Sequence, residues 1–89
     1  MINEQLFETT LKRVREIIAE ETGNEFDEIL PDMHLEDELE ILNADLKRII
    51  RSLNTEYRIS INATEIDAEE SVETVRQLTT VVCEEIELG

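Results

Sequence analysis

The sequence predicts an all-α protein: a small antiparallel helical bundle with three main helices, a short helical stub and a long first loop. Three observations predict this class. The 89 residues include only two glycines and one proline, so turn-forming residues are scarce. Aromatic residues make up 3% of the chain, whereas Leu, Ile, Glu and Arg are abundant. Apolar residues recur at helical spacing in three segments. A chain of this length is expected to form one domain, residues 1–89.

The first helix is expected to run from about Asn3 to Thr22. Its apolar face consists of residues three or four apart, namely Phe7, Leu11, Val14 and Ile18, widened by Leu6 and Ile17. Gly23 suits the left-handed residue that closes a helix. The segment from 24 to about 42 is too apolar for a solvated loop, so we expect it to fold back over the helices, with Pro31 and Asp32 in a turn. Its large apolar residues are Phe26, Ile29, Leu30, Met33, Leu35, Leu39 and Ile41.

The second helix is expected to run from about Asn43 to Tyr57, with Asn43 as its N-cap and Asp45 complementing the helix dipole. Its apolar residues are Leu42, Leu46, Ile49, Ile50, Leu53 and Tyr57. A short extended segment at 58–62 and a helical stub around Ala63 to Ala68 follow. Ser71 is then expected to cap the last helix. The apolar residues of that helix are Val72, Val75, Leu78, Val82 and Ile86.

The charge of the chain narrows the choice of partners. Eight basic and 23 acidic residues give a net charge of −15. Binding to nucleic acid or to an anionic membrane depends on clustered Lys and Arg, so neither is expected, and a charged partner should be basic. No apolar run approaches the ~20 residues that span a bilayer, and the acidic N-terminus does not resemble a secretory signal. We therefore expect a cytoplasmic monomer whose partners are proteins.

The polar residues do not predict an enzyme, because they supply no nucleophile–base pair and no set of metal ligands. The run Glu36, Asp37 and Glu38 is interpreted as a solvated charge run, not as a metal or acid–base site. His34 is the only histidine and is expected at the surface or packed in the loop. Cys83 is the only cysteine and is expected to be a small buried apolar residue. We predict no catalytic residue and no metal site.

Lys47, Arg48 and Arg51 place three basic residues within five positions of the second helix. One interpretation is local charge balance against Asp45 and the acidic loop residues 36–40. The other is that the three form, with Asp45, a docking surface of mixed sign.

The order of these elements resembles the acyl carrier protein family, from about Leu11 to Val82. Residues 29–39, ILPDMHLEDEL, look like the family's loop before its attachment site. Residues 56–61, EYRISI, look like the end of its second helix and the extended segment after it. Residues 71–75, SVETV, look like the start of its last helix. The resemblance implies partners that synthesise fatty acids, polyketides or non-ribosomal peptides.

The resemblance also implies where this chain departs from the family. Family members carry 4′-phosphopantetheine on a serine at the start of the second helix. Counting back from Tyr57 without gaps places that position at Asn43, and sliding the register by two would place it at Asp45, with Leu46 after it; neither residue is a serine. In the register without gaps, Leu42 and Ala44 replace the family's Asp and Leu, and Glu40 replaces a Gly. No Ser, Thr, Tyr or Cys occurs between positions 23 and 51. Asn43 is therefore not expected to be modified, and no cofactor is expected at the usual place.

Three hypotheses remain open from the sequence. The first is a carrier-like module that docks through Asp45, Lys47, Arg48 and Arg51 without carrying the covalent arm. The second is a working acyl carrier that is modified at an unusual residue. The third is an unrelated acidic helical adaptor or inhibitor.

Overall fold

The first helix, α1, spans Glu4–Thr22 in a computed structural model that describes residues 3–62 and 72–88. Asn3 caps it, because its side-chain Oδ1 accepts the backbone N–H groups of Gln5 at 2.7 Å and Leu6 at 3.2 Å. Gly23 ends it in the left-handed conformation, at φ 74°. The predicted bounds and the closing role of Gly23 are both confirmed.

The second helix, α2, spans Asn43–Tyr57, as predicted, but its cap is different. The prediction that Asn43 is the N-cap was wrong. The cap is Leu42, whose backbone is extended at φ −89° and ψ 170° and whose side chain has no oxygen to accept an N–H group. Asn43 is the first residue inside the helix. The helix therefore begins without a side-chain cap.

The last helix, α3, spans Val75–Leu88 and begins later than Ser71 would have started it. Its cap is Thr74, whose Oγ1 accepts the backbone N–H of Gln77 at 3.2 Å. In return, the side-chain Oε1 of Gln77 accepts the N–H of Thr74 at 3.0 Å. This reciprocal arrangement is a capping box, so the expectation that Ser71 caps this helix was wrong. Ser71 itself and the stub predicted at 63–68 lie outside the described residues.

The long first loop folds back over the helices, as predicted. It contains a short 3₁₀ helix at Phe26–Glu28, and it buries Ile29, Leu35 and Ile41. The predicted turn at Pro31 is present, since the N–H of Met33 bonds the carbonyl of Leu30 at 3.1 Å.

The same loop also closes the N-terminus of α3. The carbonyl of Met33 accepts the N–H of Val75 at 3.2 Å, and that of Pro31 accepts the N–H of Arg76 at 2.8 Å. These are backbone donors that a helix leaves unpaired at its first turn, and the loop supplies their acceptors. The loop and α3 are thereby tied together.

Helix α1 is the central element and packs against both α2 and α3. Its middle faces the end of α2, where Arg13 pairs with Glu56, and its end faces the start of α2, where Glu21 pairs with Arg48. The two helices are therefore antiparallel. The core between the elements contains Leu11, Val14, Ile17, Ile18, Ile29, Ile49, Ile50, Leu53, Val75, Leu78 and Val82.

The all-α class is confirmed over residues 3–62 and 72–88, which form a small bundle of three helices. These residues contain no β-strand, and their only pairing of this kind is one antiparallel bridge between His34 and Thr74. Of the helices described, none combines the length and the apolar character needed to cross a membrane.

Candidate functional site

The start of α2, where the resemblance places the attachment position, is exposed to solvent and carries an exposed apolar side chain. The side chain of Leu42 is 67% exposed, and Asn43 and Ala44 are exposed as well. The exposure follows from the helical pattern, because the first fully buried residue of α2 is Ile49. Leu42, Asn43, Ala44 and the half-buried Asp45 thus lie together where the loop enters the helix.

The side chain at position 43, the first residue of α2, is an amide. Asn43 offers no hydroxyl, and the nearest hydroxyl groups along the chain are those of Thr22 and Ser52. The Thr22 hydroxyl donates to the carbonyl of Ile18 at 2.7 Å and accepts from the Asn24 amide at 2.9 Å, so it is already engaged. Ser52 lies on a later turn of α2, with its Oγ 3.5 Å from a carboxylate oxygen of Glu21. Neither residue occupies the start of the helix.

A shallow groove of about 420 Å³ runs beside this point, between the end of α1, the loop and the start of α2. Its acidic lining residues are Glu21, Glu28, Glu38, Glu40 and Asp45. In the described part of the chain, no group of three or more His, Cys, Asp or Glu side chains is arranged to hold a metal ion. The groove is therefore described by its acidic lining.

Glu40 has a left-handed backbone at φ 53°, although it is not glycine. This conformation normally costs a residue with a Cβ roughly 1–2 kcal/mol. The turn that leads into α2 therefore requires the kind of backbone that Gly provides most easily.

Arg48 accounts for much of the charge balance at the start of α2. Its guanidinium pairs with Asp45 one turn earlier and lies 3.5 Å from a carboxylate oxygen of Glu21 on α1. Lys47 and Arg51 behave differently. Both are exposed, and neither forms an ion pair with any residue in 3–62 or 72–88. Of the three basic residues of the predicted docking surface, one is paired locally and two project into solvent.

The far end of α2 is fixed to α1 by a forked ion pair. The Arg13 guanidinium donates to both carboxylate oxygens of Glu56, one of them at 2.7 Å. These hydrogen bonds hold the pKa of the Glu56 carboxyl below its usual range. Glu56 is therefore engaged with α1, and its charge is compensated.

Two arginines hold the loop through contacts that were not predicted from the sequence. The Arg15 guanidinium lies 4.1 Å from the centre of the Phe26 ring and donates to the carbonyl of Ile29. Arg76 of α3 donates to Asp32 at 2.9 Å. The basic residues were visible in the sequence, but their partners lie 11 to 44 positions away. No local pattern marks such pairs.

The other polar residues singled out in the sequence are the acidic run at 36–38, His34 and Cys83. Glu36, Asp37 and Glu38 are exposed, in agreement with a solvated charge run. His34 is half-buried in the loop, where its backbone bridges to Thr74. Cys83 is fully buried, as predicted, and burial raises the pKa of its thiol.

Comparison of the sequence with protein-family models found no family that matches, and comparison with curated proteins found no significant match.

Proposed function

We propose that this chain is an acyl-carrier-like module that docks to a protein partner without carrying a phosphopantetheine arm at the start of α2. The observation that carries the proposal is the residue found there. Asn43 is exposed at the beginning of a helix that follows a long folded loop, and it has an amide in place of a hydroxyl. The bundle has the shape to present a group at this point, but it lacks the oxygen that would anchor one.

Two features of the fold support the proposed relationship to acyl carriers. The long loop is folded onto the bundle, with Leu35 and Ile41 buried, and it leads directly into α2. Glu40 adopts a left-handed backbone at the position where the resemblance places a Gly of the family. A glycine in the family and a strained residue here are two solutions to the same turn.

The proposal includes a cytoplasmic location and partners among enzymes that build fatty acids, polyketides or non-ribosomal peptides. Docking would use the exposed side of α2, where Lys47 and Arg51 project, together with the start of the helix at Asp45 and Arg48. The module is not proposed to catalyse a reaction.

The test is a covalent labelling experiment with a phosphopantetheinyl transferase and coenzyme A, read by intact mass. In this reaction a hydroxyl oxygen attacks the phosphorus that bears pantetheine, its proton is lost, and adenosine bisphosphate leaves. The wild-type chain should gain no mass. Asn43→Ser should gain one arm, because the new hydroxyl lies at the start of α2. Asn24→Ser, the same change at another exposed position, should gain none.

Two results would count against the proposal. A mass gain on the wild-type chain would favour a carrier modified at an unusual residue, and peptide mapping would then show whether Thr22 or Ser52 bears the arm. Failure of Asn43→Ser to be modified by a panel of transferases would remove the basis for likening this helix start to that of an acyl carrier.

A further inference from the structure

We propose that the exposed side of α2 docks an acidic surface of its protein partner, through a basic stripe formed by Lys47, Arg51 and Arg58. This inference rests on the proposed function, since it specifies the chemistry of the partner that the module would meet. It differs from the expectation that the net charge alone gives, which is a basic partner.

The stripe is continuous along the helix. Lys47 and Arg51 are four residues apart, and Arg58, the C-terminal cap of α2, follows seven later, so all three lie on one side of the helix. At 1.5 Å per residue, the stripe is about 16 Å long. All three residues are exposed, and none forms an ion pair within residues 3–62 and 72–88. Ala44 is also exposed on this side, and its small side chain leaves room for a partner at the first turn of α2.

The two carboxylates of α2 are both compensated. Asp45 is paired with Arg48, which also lies against Glu21, and Glu56 is paired with Arg13. Residues 43–58 contain four basic and two acidic residues, a net charge of +2 in a chain of −15. Among residues 3–62 and 72–88, no carboxylate pairs with Lys47, Arg51 or Arg58, and their charge is the one we propose that a partner meets.

Screening decides whether the stripe or the whole molecule governs binding. The Debye length is ~30 Å at 0.01 M salt and ~8 Å at 0.15 M. The described chain measures 30 × 27 × 21 Å, so at low salt the negative charge of the whole molecule repels an acidic partner. At 0.15 M that repulsion is largely screened, whereas contacts within a few ångströms of the stripe persist. Affinity for an acidic partner should therefore rise between these two salt concentrations.

Leu42 is a second exposed feature at the start of α2, separate from the stripe. Leu42 is 67% exposed at the start of α2, next to the first turn. Exposed large apolar residues surrounded by polar ones are typical of interaction sites. Leu42 precedes Lys47 by five positions, which at 3.6 residues per turn places it about 140° away around the helix. The stripe itself therefore fits an acidic partner surface, and Leu42 is not part of it.

The experiment is an NMR titration of the full ¹⁵N-labelled chain with two synthetic amphipathic helical peptides. Both peptides carry the same leucine stripe, and they differ only in having Glu or Lys on the polar face. The Glu peptide should shift the amide resonances of residues 42–58 and bind more tightly at ~0.15 M than at ~0.01 M salt. The Lys peptide should instead shift resonances of groove residues that precede α2, namely Glu21, Glu28, Glu38 and Glu40.

Charge-reversal variants separate the local stripe from the net charge. Lys47→Glu and Arg51→Glu should each weaken binding of the Glu peptide about fivefold, because an attraction is lost and a repulsion of similar size is added. Lys12→Glu is the matched control. It makes the same change in net charge at an exposed residue of α1, and at ~0.15 M salt it should change affinity by less than about twofold.

Several outcomes would overturn the inference. They are a Glu peptide that leaves residues 42–58 unshifted, a Lys12→Glu effect as large as that of Lys47→Glu, and tighter binding of an RNA oligonucleotide at the same residues. Self-association that Lys47→Glu abolishes would instead assign the stripe to a second copy of the chain. None of these results depends on whether Asn43→Ser accepts an arm, so the two proposals fail separately.

Discussion

The uncapped start of α2 gives a sharp test of how this helix is held. Leu42 occupies the N-cap position but has no oxygen to accept the N–H groups of the first turn. Leu42→Ser supplies one, and Leu42→Ala does not. Both substitutions remove the same mostly exposed side chain, so the apolar contribution cancels in the comparison. A Ser cap is worth ~1 kcal/mol relative to Ala, so Leu42→Ser should be the more stable variant by about that amount.

In a domain of this size, ~1 kcal/mol corresponds to a difference of about 4–8 °C in Tm. Urea unfolding of the two variants, followed by circular dichroism, measures the difference directly. Hydrogen exchange provides a local readout, since the amides of Ala44 and Asp45 should exchange more slowly in Leu42→Ser. Equal midpoints for the two variants would refute the assignment of Leu42 as the cap.

Two further predictions concern the ends of α1 and α2. Gly23→Ala should lower the free energy of unfolding, measured by thermal denaturation, by about 1 kcal/mol, because φ at this residue is 74°. No atom lies within 4 Å of the added Cβ, so the cost comes from the backbone. Gly23→Asn should lower the free energy of unfolding by less, and equal losses for the two variants would contradict this account. The ion pair with Arg13 lowers the pKa of Glu56 in the folded state. The pair therefore stabilises the fold at pH 5 and above, and this stabilisation is lost as the pH falls through the lowered pKa of Glu56. The difference in unfolding free energy between wild type and Glu56→Gln should therefore shrink below the ordinary glutamate pKa of ~4.3, and a difference that is constant from pH 6 to pH 2 would count against the pair.

The bounds of α1 and α2 could be predicted because apolar residues at helical spacing mark where each helix buries one side. The caps could not be predicted in the same way. A cap is decided by the one residue whose backbone leaves the helix, and periodicity does not identify it. At α2 the preceding residue, Ile41, is buried and bonded through its N–H to the carbonyl of Leu35 at 2.8 Å. The chain leaves this anchor extended, so Leu42 becomes the cap although Asn43 is the better capping residue.

The cap of α3 did carry a readable signal. Thr74 and Gln77 have the spacing and residue types of a capping box, and the structure contains both of its hydrogen bonds. Ser71 is also a good capping residue, and Val72 fits the apolar pattern, so the sequence favoured the earlier start. The carbonyls of Pro31 and Met33 help to fix the later start by bonding the first N–H groups of α3. Such a contribution from distant residues is not visible in a local pattern.

The proposed docking surface was also only partly predictable from the sequence. The spacing of Lys47, Arg48 and Arg51 placed them on the exposed part of α2. Charge balance against Asp45 was one interpretation of the sequence, and Arg48 does pair with Asp45. The sequence did not indicate that Arg48 would also lie against Glu21 of the neighbouring helix. Which basic residues are paired depends on how α1 and α2 pack. Only after that packing is known do Lys47 and Arg51 stand out as available charges.

The residue at position 43 can change without disturbing the fold. Asn43 is exposed, and its side chain forms no hydrogen bond to any part of the chain that the structure describes. The loop before it is fixed by the buried side chains of Leu35 and Ile41, and α2 is fixed by Ile49, Ile50 and Leu53. A serine at 43 should therefore leave packing unaltered. It follows that an arm at position 43 and the proposed docking through Lys47 and Arg51 would be physically separable, because a change at 43 leaves the packing that positions α2 unaltered.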